Sequence, residues 1–411
     1  MEYRDQLKYI KSHQVSDRAD TRKNKKRKKR KEPEVKPKKI SKMDKLLWAV
    51  LVISSAFFAG SMLILGILPA KYMVILAVVI LLLLLAVKHM QKRARRSKKK
   101  RSSGKGLALV TSLLFLVVGF YSLKVNAALD KIATGEDNGN YAEAQTLPVT
   151  EEPFNVYISG IDVYGEITQE SRSDVNLIAT INPKTHKILL TTTPRDYYVT
   201  IPGVSGEQKD KLTHAGIYGI DTSIATLENL YETEIPFYVR VNFTSVEEIV
   251  DVMGGVDVES ELAFTTGEES GAIVEVKEGK NHFTGKEALA FVRERKALAE
   301  GDNQRGKNQQ ALLTGLIKKA VSPMIIFRAN GMINSVIGNA ETNMSEAQIK
   351  SLIRMQIGDM KGWEIESVAA TGDGSGKKNC YSYSGGPLYV TVPDMSSVEE
   401  IKTKMQEVMA E

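Results

Sequence analysis

Two aspartates and four arginines could share work on a phosphate. Asp162 follows Gly160-Ile161 and Asp174 ends Ser171-Arg172-Ser173-Asp174. Paired carboxylates near strand ends can hold a hard cation through oxygen ligands, as magnesium sites on phosphate substrates do. Singly, each acid reads better as a residue that ends a strand or solvates a loop. Arg195 follows Pro194, which removes a ladder donor and ends strand pairing, so the guanidinium emerges at a sheet edge. Arg293 and Arg295 close a helical segment opened by Thr284. Counted from Ala288, positions 288, 291, 292 and 295 share one face, which aligns Arg295 with Phe291 on the side expected to be buried. A buried arginine requires an anion. Arg305, Gln309, Leu312 and Leu316 form one helical stripe, polar at its head and apolar beyond. The first turn of such a helix has free N–H groups to offer a phosphate. The bland alternative for each arginine is an ion pair with Asp196 or Asp302. His214 and His282 lack a serine or cysteine at a telling spacing and read as turn residues, which argues against carbonyl-type nucleophilic catalysis. Cys380, near Gly372–Gly376, reads as part of a surface loop.

Short β-type runs at Asn155–Ser159, Asn176–Ile181, Ile188–Thr192 and Phe237–Val241 must position these groups. Helices lie between and after them. Thr284 with Glu287 and Ser396 with Glu399 have capping-box spacing, and Ser245 with Glu248 opens a third helix that Gly254-Gly255 can stop. Val398, Ile401, Met405 and Val408 form the stripe of a surface helix docked by one face. The expected fold is α/β, with a layered mixed β-sheet flanked by helices.

Ahead of it, basic blocks alternate with apolar runs. Residues 1–45 carry 18 Lys+Arg against 7 acids, and residues 88–105 carry 10 Lys+Arg and no acid. Residues 46–68, 72–87 and 107–123 are expected to form three transmembrane helices, although the sixteen-residue second run reaches only about 24 Å. Basic blocks stay in the cytoplasm, which puts the N-terminus inside and everything after Leu123 outside. The outer turn at Pro69 and Ala70 leaves no room for a receptor surface. The basic segments read as orientation signals and attractors of membrane lipid, and no nucleic-acid partner is expected. The remaining 306 residues, 106–411, carry a net charge of −15, so an anion bound there depends on a local arginine cluster. One cysteine excludes an internal disulfide. Residues 124–152 read as a stalk and 153–411 as the folded outer domain.

Several blocks in order resemble the LytR–CpsA–Psr proteins of Gram-positive cell envelopes. They are Gly160-Ile161-Asp162, Arg172-Ser173-Asp174, Pro194-Arg195-Asp196, Lys211-Leu212-Thr213-His214-Ala215 and Tyr218-Gly219, then His282, Gly285, Ala288-Leu289, Arg293-Glu294-Arg295, Gly301-Asp302, Arg305 and Gln309-Gln310. Asn308 stands where the family commonly has arginine, and Val175 where it often has threonine. The three spans resemble the capsule-associated branch. The resemblance implies a phosphotransferase that moves capsular polysaccharide or teichoic acid from a polyprenyl pyrophosphate carrier to a peptidoglycan hydroxyl, with a pyrophosphatase side activity. On that reading Asp162 and Asp174 hold Mg²⁺ or Mn²⁺, and Arg195, Arg293, Arg295 and Arg305 clasp the pyrophosphate. Arg172, Gln309 and Lys211 support the head group. A non-catalytic polymer-binding module and a membrane-bound regulator are the alternatives.

Overall fold

A computed structural model describes residues 39–97, 102–132, 142–161, 171–298, 302–322 and 340–411. Asp162 and most of the basic tail lie outside the described residues. The chain divides into two compact units, Met1–Ile53 with Leu81–Ser112, and Ser54–Ile80 with Leu113–Glu411. Three helices, α1 (Lys42–Leu65), α2 (Ala70–Arg96) and α3 (Lys105–Ile132), are long and apolar enough to cross a membrane. Helix α2 has 27 residues, because Lys and Arg are good helix formers and the basic segment after Val87 continues its turns. The apolar run still ends at Val87, and the added turns carry the basic residues that flank the span. In the first unit, Lys105 Nζ lies 3.8 Å from Asp44 Oδ1 and Gln91 donates to the Asp44 carbonyl at 3.1 Å.

The second unit carries the α/β domain. Its elements are α4 (Ala142–Thr146), β1 (Phe154–Ile161), β2 (Ser173–Asn182), β3 (Lys187–Thr192), β4 (Tyr198–Thr200), β5 (Lys209–Lys211), α5 (Leu212–Ala215), α6 (Ile220–Tyr231), β6 (Phe237–Asn242) and α7 (Phe243–Val252). There follow β7 (Val256–Ser260), β8 (Phe264–Thr265), β9 (Glu275–Val276), β10 (Gly279–Phe283), α8 (Gly285–Arg293), α9 (Asp302–Ala320), β11 (Ala340–Thr342), α10 (Glu346–Asp359), β12 (Glu364–Ala369), β13 (Gly372–Cys380), β14 (Tyr383–Pro393) and α11 (Met395–Ala410). The main sheet has the order β11-β6-β1-β2-β3-β12. It is mixed: β1 pairs antiparallel with β2 and parallel with β6, and β12 runs parallel to β3.

Alternation along the strands gives the sheet two apolar faces. Ile178 and Leu189 share a core with Leu227 and Tyr231 of α6 and with Val398, Ile401 and Met405 of α11. Ala179, Ile188 and Leu190, on the other face, pack against Leu313 and Ile317 of α9. All four expected strands and the C-terminal stripe are present.

Helix starts differ by a few residues from expectation. Asn242 caps α7 and accepts from Ser245 N–H at 2.9 Å, and Asp394 caps α11 and accepts from Ser396 N–H at 3.0 Å. Asn242 and Asp394 take the cap positions, and the serines two or three residues later bond back to them. The end of the expected stalk also belongs to the domain. Ala144 and Val149 are buried, and Gln348 Nε2 donates to the Ala144 carbonyl at 2.7 Å. The glycine-rich 372–376 stretch is part of strand β13, not a loop, and it pairs with β14.

Helix α10 covers the turn after α1. Arg354 Nε and Nη2 both donate to the Gly66 carbonyl, Nε at 2.8 Å, Lys350 Nζ reaches Asn126 Oδ1 at 2.7 Å, and Lys71 Nζ donates to the Gly358 carbonyl. Cations at a helix C-terminus satisfy its orphan carbonyls and complement its dipole. Replacing both Lys350 and Arg354 with alanine is expected to lower the melting temperature of the full chain by about 2–4 °C. Calorimetry in detergent checks this, and an unchanged Tm would show that the contacts carry no stability.

Candidate active site

The site forms where β1 and β2 end. Gly160 pairs with Val175 and Ile161 with Ser173, which leaves Asp174 as the extra residue of a β-bulge. A bulge re-aims the side chain it carries. A buried network holds it from below: Tyr157 Oη donates to Asn176 Oδ1 at 2.7 Å and lies 2.8 Å from Ser173 Oγ. Burial raises the Tyr157 pKa, so its hydroxyl keeps its proton.

Arg195 follows β3. Its Nη1 donates to Asp174 Oδ1 at 2.8 Å, and its Nε lies 3.9 Å from Asp196 Oδ2. Asp196 is held in turn by Lys211 Nζ at 2.8 Å. Lys211 thus supports the loop that carries Arg195 and does not line the arginine cleft. The first turns of α9 press on the end of β3. A Cβ added to Gly306 would stand 2.9 Å from Thr192 Cγ2, so glycine permits the close approach that brings Arg305 and Gln309 beside Arg195.

The end of α8 departs from expectation. The helix stops at Arg293 and Glu294 is extended, with φ −62° and ψ 133°. Arg295 therefore leaves the helical face counted from Ala288 and is exposed, while Glu294 is buried. Its carboxylate accepts from Gly267 N–H at 2.6 Å, Ser270 Oγ at 2.9 Å, Arg295 N–H at 2.8 Å and Ala297 N–H at 2.9 Å. Burial pushes this carboxyl up, but the four donors outweigh it and hold it below the usual glutamate range. Glu294 had no role in the sequence reading, and its position between two arginines was the available signal. Arg293 lies over the Phe243 ring, 4.3 Å from its centroid.

Glu294→Ala should cost about 3 kcal/mol, because it strands buried donors. Chemical denaturation measures this, and a loss within error of zero would contradict the role. The pH dependence has a definite sign. With its pKa lowered, Glu294 contributes stability above the ordinary glutamate range, and the contribution is lost as pH falls through the depressed native value. Glu294→Gln should flatten that acid limb.

These groups share one cleft of about 580 Å³, lined by Asp174, Arg195, Arg293, Arg295, Arg305 and Gln309, with Phe243 and the 267–270 turn. Arg172 is exposed and does not line it. Asn308 turns away and donates to the Phe291 carbonyl at 3.2 Å. It faces a second cavity of about 590 Å³, where Lys280 pairs with Asp257 at 3.0 Å and Lys307 with Glu261 at 3.2 Å. Both linings mix acids and bases; the cations of the second cavity are lysines, whereas those of the first are mainly arginines.

Among the described residues no cluster of three or more His, Cys, Asp or Glu gathers as a metal site. Asp174 presents oxygen donors to the cleft, with one oxygen engaged by Arg195. One carboxylate alone is a poor site for a hard divalent cation, and the second expected ligand, Asp162, lies outside the described residues.

His214 is structural. Its Nδ1 lies 2.5 Å from Asp210, whose carboxyl burial pushes up but His214 and Ser382 pull down to about 2. His282 is exposed beside Asp257 at 2.7 Å, outside the cleft. Burial pushes the Cys380 thiol up to about 11, which leaves it unreactive.

The LytR_cpsA_psr family model matches residues 119–407. The polyisoprenyl-teichoic acid–peptidoglycan teichoic acid transferase TagU of Bacillus anthracis is 31% identical over 272 residues, 66% of this chain and 83% of TagU. Among solved structures, B. subtilis TagV is 27% identical with a TM-score of 0.52, covering 63% of this chain and 98% of TagV. TagT bound to LIIa-WTA is 26% identical with a TM-score of 0.51, covering 64% of this chain and 94% of TagT. The chain belongs to the LytR_cpsA_psr family.

Proposed function

We propose that this protein is a membrane-anchored phosphotransferase that moves an anionic glycopolymer, a teichoic acid or capsular polysaccharide, from a polyprenyl pyrophosphate carrier to a peptidoglycan hydroxyl. The hydroxyl oxygen attacks the phosphorus bearing the polymer and forms a phosphodiester. The bond from that phosphorus to the bridging oxygen breaks, polyprenyl monophosphate leaves with that oxygen, and the hydroxyl proton is released. Water in place of the hydroxyl gives the pyrophosphatase side reaction.

The observation that carries this reading is the convergence of Arg195, Arg293, Arg295 and Arg305 on one cleft, at the head of a helix whose later turns are apolar. Charge grows on the bridging oxygen as the bond breaks, and preorganised guanidiniums stabilise it with little covalent work by the protein. Gln309 orients the head group. Asp174 and Asp162 would hold Mg²⁺ or Mn²⁺, which would offset charge on the diphosphate oxygens. The name of TagU and the ligand of TagT support the substrate class. The basic segments favour a topology with the N-terminus in the cytoplasm and the domain outside the membrane.

The test is the full chain in liposomes with lipid-pyrophosphate-linked glycopolymer, Mg²⁺ and peptidoglycan. Polymer should become covalently attached to peptidoglycan while polyprenyl monophosphate appears in equal amount. Tight polymer binding with neither product would make the protein a binding module.

A further inference from the structure

Helix α9 borders two cavities. Arg305 and Gln309 line the arginine cleft, and the residues directly before them, Gln304 and Asn308, line the second cavity together with Gln310, Thr314 and Gly315. Its walls are fixed from two sides. Gln310 Nε2 donates to the Leu190 carbonyl of β3 at 3.2 Å and to the Val368 carbonyl of β12. Gly315 lies on β7, where an added Cβ would collide with the Asp257 carbonyl.

Three buried amides in this lining have incomplete hydrogen bonding. Gln304 and Asn308 are 2% exposed and Gln310 is 5% exposed. Asn308 donates from its NH₂ group to the Phe291 carbonyl, and Gln310 spends its NH₂ group on the sheet, so each retains its carbonyl oxygen as an acceptor. Among the described residues no donor meets those two oxygens, and neither end of the Gln304 amide has a partner. Buried amides left unmet cost free energy, and these three border a cavity of about 590 Å³, ample for a small ligand.

Charge does not reserve the space for a phosphate. Lys280 pairs with Asp257, Lys307 pairs with Glu261, and Lys319 donates to the Gly254 and Gly255 carbonyls. Amide oxygens repel phosphate oxygens, and no arginine lines this cavity among the described residues.

We infer that the second cavity is a carbohydrate subsite, which holds a sugar ring through hydroxyls that donate to Asn308 and Gln310 and both donate to and accept from Gln304. A hydroxyl carries a donor and two acceptor lone pairs, which matches this mixed set. Two chains in the proposed reaction carry such rings, the glycopolymer and the glycan strand of peptidoglycan. A helix is about 10 Å across, so a ring held here lies a short stretch of chain from the diphosphate on the other side of α9. The source of the sugar rests on the transferase reading, but its binding is measured without turnover.

The experiment uses the full chain in nanodiscs and two probes, peptidoglycan glycan strands freed of stem peptides and capsular polysaccharide freed of carrier lipid. At least one should bind. Gln304→Met keeps the side-chain volume and deletes both amide ends, and it should weaken that binding about threefold to tenfold. Thr314→Trp, which fills the cavity, should abolish it, and this variant decides alone if Gln304→Met fails to fold. The probe whose affinity falls identifies the source of the sugar. Affinity for polyprenyl pyrophosphate should stay within about twofold in both variants, because neither residue lines the arginine cleft. Binding of neither probe, unchanged affinity for both probes in the variants, or a loss confined to polyprenyl pyrophosphate overturns the inference. So does binding that falls steeply with salt and ignores Gln304→Met, which would assign the cavity to an anion held by lysines. Gln304-dependent sugar binding in a chain that transfers nothing supports the subsite and refutes the transferase.

Discussion

Replacing Arg195 or Arg305 with alanine should lower the transfer rate by roughly 10²–10⁵, the range seen when a group that stabilises transition-state charge is removed. The two arginines approach the cleft from different elements, Arg195 from the loop after β3 and Arg305 from the first turns of α9. Neither can stand in for the other. Arg195 also pairs with Asp174, so its loss leaves a carboxylate facing the diphosphate and adds repulsion to the missing attraction. Lysine at either position should recover only part of the rate, because a point charge cannot fork across two phosphate oxygens. Single-turnover transfer with saturating donor separates the chemical step from binding. A loss below threefold in both alanine variants would remove these residues from the mechanism.

Removing divalent cations should abolish transfer, and Asp174→Asn should reduce it by roughly 10²–10³. The bulge at Asp174 re-aims its carboxylate, and asparagine keeps its shape while deleting its charge. The variant also releases Arg195 from its partner. Added Mg²⁺ should restore the chelated wild-type protein fully and Asp174→Asn only weakly. Full activity in excess chelator would reject the two-aspartate site while leaving the arginine clasp standing.

Much of this arrangement was legible from residue types and order. Pro194 announced the end of a strand and placed Arg195 at its edge. Arg305 and Gln309 shared a stripe with apolar residues, and in the structure that helix turns its head to the cleft and its later turns to the sheet. The reading of Arg295 failed for a local reason: helical periodicity was carried one turn too far. Glu294 leaves the helix because four donors outside it compete for its carboxylate, and periodicity cannot register such contacts. Lys211 was placed in the head-group site, yet it supports Asp196 across a strand pair distant in sequence. The glycine-rich 372–376 stretch suggested a loop because glycine is poor in strands, but Gly374 makes room for the Tyr389 ring and Gly372 for the close approach of the Val392 backbone.

The central claim is that the arginine cleft is where the carrier's diphosphate sits, and a photoreactive polyprenyl pyrophosphate bound to the full chain tests it most directly. Crosslinks mapped by mass spectrometry should fall on the peptides that carry Arg195 and Arg293 to Arg305, and should vanish when unlabelled polyprenyl pyrophosphate competes. Crosslinks that fall instead on the cavity beside Lys280, Lys318 and Lys319 would contradict the account.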